Sequence, residues 1–394
     1  MRVIVDKADR LWKIPQPSLG DMQFARRRLE SRGVNIIDLD RPLVDLIMPE
    51  PPVFLDRGGP APVPTETFAD LQARLISRIL EKHYSLRGLG LDPQKEIFIT
   101  PGIRVAAGLI TLGLLNPGES AAYPDPGPRH LRTAICLADA NPRKYGLLET
   151  NDYIANIAGL KSAHSKRTKI IFVNYPHDPS GAAVDYYFYR ELVRSLRFTN
   201  ILIVADCAHV HPGNPDPAGP LQVKNSSRKS VELHSFGPTF GLLGLGFAAG
   251  HKDVISIIAG LARALGIAPD YQAMRIALAL LDHSEEIFAN RMDTLRRRRE
   301  ILVDGLKRLE WHVRSGRLAP FVWARPPVRS TSLAFARRLF VKAGIRVTPG
   351  SDYGENGEGW LRMTLSGDEV TMSEVVARLV QHSRIWQRKI GSEE

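Results

Sequence analysis

Residues 231–255 form the stretch VELHSFGPTFGLLGLGFAAGHKDVI. It holds two short apolar runs, VELHSF (231–236) and GFAAGH (246–251), separated by a glycine-rich loop and followed by helical periodicity over 252–264. Apolar runs of this length bounded by turn residues predict fully buried strands. Moving outward, the same pattern recurs in NILIVAD (200–206), KIIFVNY (169–175), SAAYP (120–124) and EIFIT (96–100). Helical periodicity over 104–115 separates two of these runs. The alternation from about residue 95 to about 260 predicts an α/β domain with a largely parallel sheet. In such sheets ligands bind beyond the carboxyl ends of the strands, so the chemistry is sought there.

Beyond this block, helical periodicity covers 66–82 and 285–309. A second α/β segment follows, with a strand at 321–323, a helix at 331–343, a strand at 345–348, the turn-rich PGSDYGENGEG, a strand at 360–365 and a helix at 370–389. The first 60 residues are proline-rich, with one helix (21–32) and one short strand (35–39). The expected division is an N-terminal arm with part of the small domain (1–60), a large domain (61–285) and a smaller C-terminal domain (286–394). A chain of 394 residues is longer than one hydrophobic core supports, which agrees with two domains.

Composition removes several classes of function. With 44% hydrophobic and 24% charged residues the chain is globular. It has no apolar run long enough to span a membrane. The opening MRVIVDKADRLW carries charges where a signal peptide has its apolar core, so a cytoplasmic location is expected. Cys136 and Cys207 form no metal-binding spacing. The net charge of +11 and the run Arg296–Arg299 would suit a polyanion. The run also fits an amphipathic helix with Leu295, Ile301, Leu302, Leu306 and Leu309 inward and the arginines solvated. No nucleic-acid motif accompanies it, and no nucleic-acid or membrane partner is expected.

Four segments in order resemble the class I/II aminotransferases, which use pyridoxal phosphate (PLP), and especially the branch similar to LL-diaminopimelate aminotransferase. They are ITPGIRVAAGLITLGLLNPGES (99–120), NYPHDPSGA (174–182), the 231–255 stretch and VTPGSDYGENGEGWLRMTLSGDEVTMSEVVARL (347–379). The resemblance implies the PLP-dependent transferase fold of type I, a large domain with a mostly parallel sheet flanked by helices plus a smaller α/β domain. It also implies a homodimer. The segment between Leu39 and Phe68, however, is short and proline-rich and lacks the tyrosine by which a neighbouring subunit reaches the phosphate.

Within that resemblance the cofactor site departs from its pattern. The family's lysine, which carries PLP as a Schiff base and moves the proton, falls on Pro238 in Ser235-Phe236-Gly237-Pro238-Thr239. Proline has no amine for either task. The nearest lysines, Lys229 and Lys252, fall at the opposite ends of the flanking strands. The family's phosphate arginine is missing from Gly244-Leu245-Gly246, and a hydroxyl residue falls on Ile103. Arg104 and the backbone N–H groups of the helix start could still attract an anion. The stacking aromatic falls on Pro128 in PDPGPRH, the ring-hydroxyl asparagine on Asp178 and a tyrosine on His209. Three positions persist. Asp206 matches the pyridine-nitrogen carboxylate, Ser235 a phosphate contact, and Arg362 the substrate-carboxylate arginine. Arg362 reads equally as an interdomain salt bridge, and Asp206 as a buried carboxylate that ends a strand. Asn174 and Gly181 read as turn residues.

Three functions compete on these residues. The first is a degenerate aminotransferase without covalent PLP that keeps a pocket for a small carboxylate ligand. The second is a lysine-independent enzyme using PLP or its amine form, with His209 or His234 as proton shuttle. The third is a metal-binding protein in which His177, Asp178, Asp206, Cys207, His209, His211 and His234 converge near strand ends.

Overall fold

The computed structural model describes residues 6–19, 22–42, 66–163, 167–214 and 217–383. Its main sheet has seven strands: β2 (Ile97–Thr100), β3 (Ser120–Asp125), β4 (Asn141–Gly146), β5 (Thr168–Asn174), β6 (Leu202–Asp206), β7 (Ser230–Ser235) and β8 (Gly246–Gly250). They lie in the order β2-β8-β7-β6-β5-β3-β4. The five from β7 to β4 are parallel, and β8 is antiparallel to both its neighbours. β5 and β6 are buried along nearly their whole length, as sheets covered on both faces require. One face packs on the helices Ile103–Leu114, Arg129–Leu137 and Lys252–Ala264. The other is covered by Phe68–Ile79 and Tyr271–Asp282, and further along by Tyr186–Ser195.

A smaller α/β domain follows. β9 (His312–Arg314), β10 (Phe321–Arg325), β12 (Thr348–Pro349) and β13 (Leu361–Thr364) form an antiparallel sheet in the order β12-β13-β10-β9. The helices Ser284–Arg308, Ser332–Ala343 and Glu369–Gln381 share a core with it through Leu295, Leu302, Phe335 and Val375. β1 (Ile37–Asp38) pairs in parallel with β11 (Ile345–Arg346), and Leu39 is buried in the same core.

The strands expected from the sequence appear within one or two residues, except that 345–348 divides into β11, paired with β1, and β12, paired with β13 in the four-stranded sheet. Of the stretch between Leu39 and Phe68, residues 43–65 lie outside the described residues. The arginine run corrects its expectation. Arg296 and Arg297 are exposed and pair with Asp293, Glu300 and Glu369, but Arg298 is buried and donates from Nη1 to the Leu365 carbonyl at 2.9 Å. Arg299 donates to the carbonyls of Arg317 and Ala319 at 3.0 and 2.9 Å. Half of the run therefore ties the long helix to loops of the small domain.

Candidate functional site

The parallel strands end together, so Asp125, Asn174, Asp206 and Ser235 close β3, β5, β6 and β7 at one edge of the sheet. Asn174 opposes Asp206 in register. Its Nδ2 donates to the Asp206 carbonyl at 3.2 Å, and its Oδ1 accepts the Asp178 N–H at 2.8 Å. The asparagine thus holds the turn after β5 against the end of β6. That is the turn role expected of it.

Asp206 is 1% exposed. Its Oδ1 accepts the Ala208 N–H at 3.1 Å, and its Oδ2 lies 3.0 Å from His130 Nε2. Burial alone would raise its pKa, but His130 and the Ala208 N–H outweigh burial and hold it below the usual carboxylate value. Asp206 is therefore ionised, with the His130 ring nitrogen already standing against its Oδ2. The sequence reading missed His130, although it sits two residues after Pro128 in the same turn, as the second residue of the helix Arg129–Leu137.

Arg362, on β13, and Asp178, after β5, meet across the two domains at 2.9 Å from Nε to Oδ1. The guanidinium lies 4.3 Å from the Phe321 ring centre and 5.9 Å from that of Tyr353. Of the two readings of Arg362, the interdomain salt bridge is present. His209 stands at the same place, its ring 5.3 Å from Phe321, with Asp178, Arg362 and Asp206 as its charged neighbours. Burial pushes its pKa down to about 4, so it is neutral at neutral pH. Asp125 is drawn to the small domain too, since its Oδ1 accepts the Asn356 N–H at 3.1 Å while burial raises its pKa.

Ser235 spends its oxygen locally, accepting the Gly237 N–H at 3.2 Å at the start of the short helix Gly237–Phe240. Pro238 sits in the first turn of that helix, where a missing N–H costs nothing. Lys229 precedes β7, where Nζ donates to the Leu196 carbonyl at 2.8 Å, and Lys252 follows β8. Because Gly250 pairs with Val231 and Gly246 with Ser235, both lysines lie at the far end of these strands. At about 3.3 Å per residue, the Ser235 edge is more than 15 Å from either backbone.

His234 does not join this site. It lies with Glu232 and His83 beneath the sheet, its Nε2 3.2 Å from Glu232 Oε2. His177 is spent on the Ser180 hydroxyl (2.6 Å) and the Pro126 carbonyl (3.0 Å). His211 Nδ1 accepts the Gly213 N–H at 3.0 Å, between Phe240 and Phe288. The strand-end groups named as metal ligands therefore do not converge. Among the described residues the one His/Cys/Asp/Glu group with metal-like spacing is His83, Glu232 and His234, which shares only His234 with the expected set. A cleft of about 510 Å³ opens beside Tyr153, Tyr175, Asn214 and Arg314, and neither Asp206 nor Arg362 lines it.

Comparison with known proteins places this geometry. The sequence profile of the aminotransferases of class I and II matches residues 63–379. The LL-diaminopimelate aminotransferase of Halothermothrix orenii is 27% identical over 387 residues, covering 95% of this chain and 98% of its own. That of Moorella thermoacetica is 28% identical over 385 residues, with the same coverage. Among solved structures, substrate-bound BacF from Bacillus subtilis superposes with a TM-score of 0.82 at 23% identity, covering 96% of this chain and 98% of that one. The aspartate aminotransferase of Thermotoga maritima gives 0.82 at 19% identity, over 96% and 100%.

Proposed function

Since the chain belongs to the class I and II aminotransferase family, we propose that it is a member without lysine-bound PLP chemistry, retaining a pocket for a small carboxylate or other anion. One observation carries this reading: Pro238 occupies the loop after β7, and the flanking lysines, Lys229 and Lys252, sit at the opposite end of the strands. Other groups support it. Asp178, on the ring-hydroxyl position of the resemblance, pairs with Arg362, and Ser235 is committed to its own loop. Ile103 and Gly244–Gly246 supply no charged side chain for a phosphate. Only Asp206, held ionised, suits a pyridinium nitrogen. This donor set does not fit covalently held PLP.

What the residues can do is hold charge. Arg362 is cationic over Phe321, and a ligand carboxylate would compete with Asp178 for it. Such competition predicts weak binding that fades with salt.

His209 gives the second reading some support, being neutral and beside Asp178, Asp206 and Arg362. A lysine-independent enzyme would use it, and not the walled-off His234, to carry a proton. The relatives named as LL-diaminopimelate aminotransferases make that diamino acid the first substrate to try. The chain is further read as a cytoplasmic homodimer with divisions at about residues 60 and 285; among the described residues no helix is long and apolar enough to cross a membrane. The test is a spectrum of untagged protein purified with PLP present. The primary reading expects no visible cofactor band after desalting. A retained band that responds to LL-diaminopimelate would replace it with the second.

A further inference from the structure

On the face of the sheet opposite Asp206 and Ser235, the chain buries a second set of polar groups. Glu232 and His234 project from β7, and alternate residues on a strand share a face. Against them packs Leu80–Tyr84, a single π-helical turn at the end of Phe68–Ile79, a form common at functional positions. This turn presents two consecutive side chains, His83 and Tyr84, to the same buried face. His83 is 2% exposed, Glu232 0% and His234 3%.

Three donor atoms form a nearly equilateral triangle. Tyr84 Oη lies 3.1 Å from Glu232 Oε2 and 3.2 Å from His234 Nε2, and the latter two are 3.2 Å apart. Ligands held at about 2.0 Å around tetrahedral zinc stand about 3.3 Å from one another. The fourth corner has a candidate. A ring nitrogen of His83 lies within 4.8 Å of the Glu232 and His234 atoms, and the His83 and His234 ring centres are 4.4 Å apart. Among the described residues neither His83 nitrogen has a hydrogen-bond partner, and His234 Nδ1 has none either. An orphaned imidazole inside a core is costly unless something binds it.

We propose that His83, Glu232, His234 and Tyr84 form a site for one divalent transition-metal ion of the zinc type, which pins the π-turn to β7. Imidazole and carboxylate ligands suit that ion. Glu232 divides its work. Oε1 accepts Arg87 Nη2 at 3.0 Å and the Leu221 N–H at 3.0 Å, while Oε2, shared with Arg87 Nη1 at 2.9 Å, faces the ligand triangle. Tyr84 joins as a neutral phenol oxygen, because burial and the Glu232 charge push its pKa up. The buried Arg87 opposes the ion and sets its affinity below that of a site with an unshared carboxylate.

The test uses untagged, chelator-treated full-length protein titrated with cobalt(II) and zinc(II) in the micromolar range, read by cobalt absorbance and by metal content after gel filtration. The site predicts one equivalent per chain, a tetrahedral cobalt spectrum displaced by zinc, and a higher melting temperature with zinc. His83→Phe, which keeps an aromatic ring in the core, should lose the spectrum and the retained metal, while His209→Ala should keep both. Wild-type protein that retains neither ion overturns the proposal without reference to any variant. So does a His83→Phe protein, or a Tyr84→Phe protein if the first does not fold, that binds as the wild type does.

Discussion

Arg87 and Glu232 form a bidentate ion pair with side chains 1% and 0% exposed. Breaking such a pair from one side strands a buried charge, at a cost of about 3–5 kcal/mol. Arg87→Met should therefore lower the urea midpoint by that equivalent, and an unchanged midpoint would show the pair to be dispensable. The Arg362–Asp178 pair makes a functional prediction. Asp178→Asn releases the guanidinium and should tighten binding of a probe dicarboxylate, succinate, by about tenfold, or about 1.4 kcal/mol, in calorimetry. Arg362→Met should abolish it. If neither variant shifts succinate binding, the pocket does not read carboxylates. At this scale the sequence marks Asp206, Ser235 and Arg362 through their motifs but hides their partners. His130 and Asp178 become partners only once β3, β5, β6 and the small domain are in place, and no local spacing announces that. His83 is similarly silent, since a histidine at a helix end reads as a solvated cap until the π-turn directs it inward.

Among the elements, the turn after β5 shows how closely two segments meet. Gly181 has φ +78°, and a Cβ there would lie 2.5 Å from the Gly316 nitrogen. Gly181→Ala combines backbone strain, about 1–3 kcal/mol, with this clash, and should shift thermal unfolding measurably downward. Pro238→Ala, by contrast, should leave stability within about 0.5 kcal/mol, because the first turn of a helix needs no N–H from that residue. The strands β2, β3, β5, β6, β7 and β8 were legible because burial on both faces demands unbroken apolar runs. β4, reading NPRKYG, escaped that signal. It is an edge strand with only Tyr145 buried, and its proline, arginine and lysine are the polar dress of a sheet edge. The helices Arg129–Leu137 and Tyr271–Asp282 also went unmarked in sequence, although the first carries His130.

For the whole molecule, buried histidines set a pH dependence. Burial lowers the pKa of His177 to about 4 and of His211 to about 3, against about 6.5 in the unfolded chain. Between those values the unfolded chain binds protons that the folded chain refuses, so stability is full above about pH 6.5 and falls with acidification. Over pH 7 to 5 the two groups together should cost roughly 4 kcal/mol, visible as a falling urea midpoint. A flat midpoint would mean that one or both rings are reached by protons in the folded state. The fold as a whole was legible from the alternation of its segments, and the family from four motifs in order. The interdomain contact at Arg362 was legible only as one of two alternatives, because packing rather than sequence chooses between a free guanidinium and a paired one.

Whether the chain carries lysine-bound PLP, which Pro238 forbids, is decided by mass. The untagged protein is incubated with excess PLP, reduced with borohydride, and compared with Pro238→Lys by intact mass and peptide mapping. The wild-type chain is expected to gain no PLP-derived mass on a residue of the Asp206 pocket, while Pro238→Lys gains it on the new side chain. A stoichiometric adduct in that pocket of the wild-type chain would contradict it.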